Sequence, residues 1–181
     1  MRKVQSEKCK VKSVCGKRGF TLVEVLVALS IFALSAGLVF TLFHSMVILV
    51  PEATARLEAF YLAQEGVEIA RNIRDTNFAN IAQAQSVNWL AGLTGCETGC
   101  EADYASEELG SDQNRYLLFS DGFYEYGGSG APTAFQRKIS VIPEGDPQDA
   151  KKAEVVVEVF WEVRGGTHTV DVSTEIYNWL E

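Results

Sequence analysis

The chain has 181 residues, 47% of them hydrophobic, with 15 Gly and 4 Pro, which excludes a mainly disordered or collagen-like chain and fits one domain, or a small domain with an appendage. Its formal net charge of -8 is unevenly divided: residues 1–19 carry seven bases against one acid, or +6, and the other 162 residues carry nine bases against 23 acids, or -14. An acidic body of this kind excludes nucleic-acid binding by a broad basic surface, because phosphate neutralisation needs clustered Lys and Arg.

The basic segment, 1–19, ends directly before the most apolar one. From Phe20 to Val50 there is one charged residue, Glu24, and one His, His44. As a helix this stretch is about 46 Å long, more than the roughly 30 Å hydrocarbon core of a bilayer. Bases beside a span favour the cytoplasmic side, so a single pass places residues 1–19 inside and the acidic body outside. A secretory signal peptide and a plain signal anchor share this layout. A signal peptide has a shorter apolar region and a small-residue cleavage site, for which Ala36-Gly37 is a weak match.

The junction between the two segments reads Lys17-Arg18-Gly19-Phe20-Thr21-Leu22-Val23-Glu24-Val25-Leu26. It closely resembles the processing site of type IV prepilins and pseudopilins, residue by residue from Gly19 to about Ala28 and in apolar character beyond. The resemblance implies cleavage between Gly19 and Phe20 by a membrane-embedded prepilin peptidase, followed by N-methylation of Phe20. Glu24 then becomes the fifth residue of the mature chain. Physically, a carboxylate near one end of an apolar helix costs less than one at its centre, yet it still needs a partner. No Lys or Arg lies between Phe20 and Val50, so removal of residues 1–19 leaves the Phe20 amine as the one fixed positive charge at that depth. In the pilin family the corresponding Glu is thought to meet the amine of a neighbouring subunit, which makes Glu24 an assembly residue. Its presence distinguishes the chain from tip pseudopilins that lack this acid.

Pro51 is expected to kink the helix or mark a break. From there to about Asn80, spaced charges such as Glu52 with Arg56 and the scarcity of β-branched residues read as an amphipathic helical continuation. Leu57, Phe60, Val67 and Phe78 fall on one side, and Leu62, Ile69 and Ile73 about half a turn away. Two stripes suggest two contacts, either the chain's own sheet and neighbouring helices, or burial on two sides within one domain.

Cys9 and Cys15 lie in the segment that processing would remove. Cys96 and Cys100 belong to the expected extracytoplasmic part, where the spacing Cys-Glu-Thr-Gly-Cys permits a disulfide. Free thiols and a metal pair are the alternatives, although no further Cys or nearby His completes a zinc set. Such a small loop departs from the longer C-terminal disulfide loop of many pilins. Glu97, Glu101, Asp103, Glu107, Glu108 and Asp112 form an acidic loop that lacks the ordered Asp/Asn and Gly spacing of a calcium loop, and it reads as a solvated segment.

The remaining sequence is strand-rich. Arg115–Phe119 and Phe123–Tyr126 flank a Ser-Asp-Gly turn, and Gln136–Ile142 is a strand closed by Pro143. Val155, Val157, Val159, Trp161 and Val163 alternate with mostly polar neighbours, as do His168, Val170, Val172, Thr174 and Ile176. A turn at Gly165-Gly166 predicts the pairs Arg164 with Thr167, Val163 with His168, Trp161 with Val170, Val159 with Val172 and Val155 with Ile176. His168 is expected to be structural, and Trp179 to pack on or cover an edge.

No phosphate loop, dinucleotide fingerprint or nucleophile elbow is present, and neither His joins a catalytic set. The chain is therefore expected to be the substrate of an enzyme rather than an enzyme, without metal or cofactor. The expected fold is α+β and pilin-like: a long N-terminal helix, transmembrane and then amphipathic, packed on a C-terminal antiparallel sheet. Its parts are a leader at 1–19, a membrane and assembly helix at 20–50, a helical continuation at 51–80 and an extracytoplasmic head at 81–181. By resemblance it is a minor pilin or pseudopilin of a type IV pilus or type II secretion-like filament. Its expected partners are the prepilin peptidase, other pilin or pseudopilin subunits, the cytoplasmic (inner) membrane and the assembly platform. Such filaments serve adhesion, motility, DNA uptake or secretion. A non-polymerising, membrane-anchored extracytoplasmic binding protein is the alternative.

Overall fold

The computed structural model describes residues 19–163 and 166–179. Cys9, Cys15 and the rest of the basic leader before Gly19 lie outside the described residues, as does Arg164; Thr167, its expected partner, pairs with Glu162 instead. One helix, α1 (Leu22–Ala82), precedes eight strands: β1 (Cys100–Glu101), β2 (Gly110–Ser111), β3 (Leu118–Ser120), β4 (Phe123–Glu125), β5 (Ala131–Pro132), β6 (Phe135–Pro143), β7 (Lys152–Val163) and β8 (Gly166–Tyr177). The class is α+β, with antiparallel sheets packed on a long N-terminal helix. The helix runs through Pro51 without a break. By contacts the chain divides into two units, Met1–Val47 and Ile48–Glu181.

In the first unit every described residue, Gly19 to Val47, is exposed. Its hydroxyls are satisfied within the helix: Ser30 donates to the Leu26 carbonyl (2.8 Å), Ser35 to Phe32 (2.9 Å) and Ser45 to Thr41 (3.0 Å). Thr41 donates to Gly37 (3.0 Å) and Leu38 (2.8 Å). This back-bonding leaves those hydroxyl protons no need of water, which suits a helix in hydrocarbon.

The second unit holds the core. A five-stranded sheet, in the order β2-β1-β6-β7-β8, and a three-stranded sheet, in the order β4-β3-β5, are antiparallel at every pairing. Ile139, Val141, Val155, Val157, Val159, Trp161 and Ile176 form the inner face of the larger sheet and are buried with Leu62, Ile69 and Ile73 of the helix. Small residues, Ala59, Ala63, Gly66 and Ala70, spaced four, three and four apart along one helix face, are buried with them. A Cβ on Gly66 would lie 2.7 Å from Val157 Cγ1, so a glycine there permits the contact.

Two details differ from the sequence-based expectation. Val67 and Phe78 are buried together with the Leu62 stripe, whereas Leu57 and Phe60 remain exposed, so the unit buries parts of both stripes itself. The β7–β8 register is also shifted by two residues: Val163 pairs with Gly166, Trp161 with His168, Val159 with Val170, Val157 with Val172 and Val155 with Thr174. A two-residue slip keeps every side chain on its face, so alternation alone does not detect it. In the observed register the Trp161 and His168 rings stack at 5.5 Å, giving His168 a structural role. The shorter hairpin turns at Asp121-Gly122, both at positive φ, as a two-residue primed turn requires. Trp179 meets Phe78 edge-on at 4.9 Å, and Phe78 stacks on Trp89 at 6.3 Å.

Candidate processing and assembly site

Gly19, Phe20 and Thr21 precede the helix, which begins at Leu22. Thr21 caps it. Its Oγ1 accepts the Glu24 N–H at 3.2 Å, and its carbonyl accepts the Val25 N–H at 3.2 Å. The pattern Thr-x-x-Glu is the sequence signature of such a cap, and it was the signal available for assigning Thr21 a role. The Glu24 carboxylate sits in the first turn, where the helix dipole favours negative charge.

Phe20 is 81% exposed, and a Cβ added to Gly19 would have nothing within 4 Å. Among the described residues no packing therefore demands glycine at this position. The junction is accessible backbone beside an apolar helix, a form that a membrane-embedded peptidase can reach. The arrangement brings Gly19, Phe20 and Glu24 together within about one turn of the helix start. Among the described residues, α1 is the one helix long and apolar enough to cross a membrane.

Cys96 and Cys100 lie apart from this junction, in the second unit. They are joined in a disulfide with a Cα–Cα distance of 5.3 Å, closed over Gly99 at φ 114°. Cys100 pairs with Ser111 and Ile139, so the small loop is seated in the sheet.

The acidic segment around it is not a wholly solvated loop. Glu101 is buried, forms an ion pair with Arg115 at 2.7 Å, and accepts the Gln113 and Arg115 N–H groups at 3.0 and 2.9 Å. Burial pulls the Asp103 pKa upward, but hydrogen bonds from Tyr126 N–H, the Ser106 hydroxyl and Ala105 N–H, with the Arg137 charge, hold it below the ordinary carboxylate value. Asp112 is lowered in the same way: Lys138 at 2.6 Å and the Asn114 N–H outweigh burial. Among the described residues no three His, Cys, Asp or Glu side chains gather as a metal site.

Sequence reasoning missed Arg137. Its guanidinium is fully buried and ties three segments together, donating to the Leu62 carbonyl (3.2 Å), Glu65 (3.1 Å) and the Ala102 carbonyl (2.7 Å). The signal available was a charged residue at an inward position of β6.

Residues 15–40 match the family described as "Prokaryotic N-terminal methylation motif", the type IV prepilin-type signal. No curated protein and no solved structure matches the chain. The motif spans the Gly19-Phe20 junction and the first turns of α1. It is similar to the signal of a type IV pilin-like precursor, a structural rather than an enzymatic class.

Proposed function

We propose that the chain is a minor pilin or pseudopilin precursor, cleaved after Gly19 by a prepilin peptidase and N-methylated on Phe20. Residues 20–50 then serve as the membrane and assembly segment, 51–80 as its helical continuation and 81–181 as the extracytoplasmic head. The observation that carries this reading is the coincidence of the methylation motif with an exposed Gly19-Phe20 junction one residue before a capped apolar helix.

Cleavage changes the electrostatics in two ways. Drawing the +6 leader outward against the membrane potential costs about 2.3 kcal/mol per charge per 100 mV, or roughly 14 kcal/mol in all. The intact leader therefore pins the precursor in the membrane with its N-terminus in the cytoplasm. Removal of the leader releases the chain and creates the Phe20 amine. Glu24 of one subunit and this amine of the next then satisfy each other in a medium where either alone is costly.

The test is expression of Gly19→Ala and Glu24→Ala chains in cells holding the peptidase and its filament system. Gly19→Ala is expected to accumulate as unprocessed precursor. Glu24→Ala is expected to be cleaved normally but to be depleted from isolated filaments. Normal incorporation of an uncleaved Gly19→Ala chain would reject the scheme.

A further inference from the structure

β8 is the outermost strand of the larger sheet, twelve residues long, and among the described residues no strand lies on its far side. The phase of its hydrogen bonding is fixed by its neighbours. Just beyond the strand, Asn178 N–H donates to the Lys151 carbonyl at 2.8 Å, and on the other side of β7 the Glu144 N–H reaches the Lys152 carbonyl at 3.0 Å. Even-numbered residues of β8 therefore bond to β7. The N–H and C=O groups of Thr167, Thr169, Asp171, Ser173 and Glu175 point away from the sheet. This is an open template for one more strand.

The ground beside that edge is shaped. Two clefts of about 520 and 460 Å³ follow one another along β8, between the strand and the helix. The first sets Leu57 and Phe60, flanked by Arg56, against Val170; the second is mixed, with Val67, Gln64 and the Glu68–Arg71 ion pair facing Val172 and Thr174. A strand added at the edge would send every second side chain into these clefts. Its alternate side chains would lie on the outer face, which is acidic. There Glu158 stands directly opposite Asp171, and Glu154 opposite Glu175. Like charges so placed repel. Lys152 reaches Glu175 at 3.3 Å, and Lys138 stands opposite Glu158 on the β6 side but is ion-paired with Asp112 at 2.6 Å; among the described residues no ion pair reaches Glu154, Glu158 or Asp171.

We propose that the β8 edge is a docking site for an extended segment of alternating apolar and basic residues, which adds to the sheet as a sixth strand. The apolar side chains pack on Leu57, Phe60 and Val170 in the first cleft and on Val172 and the aliphatic stem of Arg71 in the second, the basic ones neutralise the outer face, and the backbone supplies the hydrogen bonds. A second copy is a poor occupant, since two β8 edges would bring Asp171 and Glu175 of both chains together. The proposal is independent of cleavage after Gly19.

The test uses the full chain in neutral detergent micelles and a labelled seven-residue peptide alternating Val and Lys. One comparison peptide alternates Val and Glu, and another has the Val/Lys composition with its lysines contiguous. The alternating Val/Lys peptide is expected to bind saturably, more weakly as salt rises from about 50 to about 300 mM. The contiguous-lysine peptide is expected to bind about tenfold more weakly, and the Glu peptide not at all. On binding, the Thr169, Asp171 and Ser173 amides gain protection from hydrogen exchange while Val170 and Val172 do not change.

Ser173→Pro removes one outward N–H and leaves the β7 ladder intact, so it should weaken binding about tenfold. Should that variant fail to fold, the paired change Glu158→Lys with Asp171→Lys decides, with preference expected to move to the Glu peptide. Equal binding of the contiguous-lysine peptide, protection at even-numbered amides, no binding, or pairing of two chains through β8 would each overturn the proposal.

Discussion

At Gly19 an added methyl group touches nothing among the described residues, so Gly19→Ala should leave the fold of the head unchanged and any loss of cleavage should report recognition by another protein. Thr21 is different, because its hydroxyl caps the helix; Thr21→Ala should cost about 1 kcal/mol of helix stability, read as fraying of the first turn by amide exchange. The titrating residues of the head predict its pH limits. Asp103 and Asp112 have folded pKa values below their ordinary 3.8, so their contribution is full above about pH 4 and is lost as pH falls below it. Tyr126 is pushed up from 10.0 to about 12, mainly by burial, so its contribution is full below pH 10 and is lost as pH rises toward 12. Thermal unfolding across pH should show both shoulders. Unchanged melting from pH 5 down to 3 would contradict the acid one. The motif at residues 15–40 was legible in the sequence because the contrast of basic, glycine and apolar residues around Gly19, Phe20 and Glu24 is local. Arg137 was not, since its partner Glu65 and the Leu62 and Ala102 carbonyls lie far from it along the chain.

Among the elements, α1 was legible from its apolar run and charge spacing, and the face it buries only in part: the Leu62, Ile69 and Ile73 stripe is buried, with Val67 and Phe78 but not Leu57 and Phe60 of the other. Large side chains suggested two stripes, and the small residues Ala59, Ala63, Gly66 and Ala70, equally buried, were not read as part of the packing face. Gly66→Ala gains up to about 1 kcal/mol in helix propensity. It also drives a methyl into Val157, a stiff β-branched neighbour 2.7 Å away, at a typical cost of about 1–3 kcal/mol. Net destabilisation is expected, measurable by urea unfolding, with partial rescue by Val157→Ala. The β7 and β8 alternation assigned the inner face correctly and the register wrongly, because period 2 is blind to a two-residue slip. The three short strands β1, β2 and β5 carry two residues each and no alternation to read. The Cys96–Cys100 disulfide closes a short loop, so reduction should lower stability by about 2 kcal/mol on the chain-entropy estimate and add the mass of two hydrogens.

For the whole molecule, the net charge of -8 describes a precursor. Cleavage after Gly19 would leave 162 residues at -14 before terminal charges, a body with a large excess of acid over base. That excess favours basic partners and makes association salt-dependent. It also separates two roles along the chain: an N-terminal helix whose described residues before Ile48 are all exposed, and a unit from Ile48 onward that encloses its own core. Exposed apolar surface of this extent needs lipid or neighbouring helices to cover it, and both are supplied by the proposed passage from membrane to filament. The most direct measurement is the N-terminus and intact mass of the protein recovered from cells that hold a prepilin peptidase. Processing after Gly19 yields a chain that begins at N-methylated Phe20. A chain retaining residues 1–19, or one beginning beyond Ala36, would contradict it.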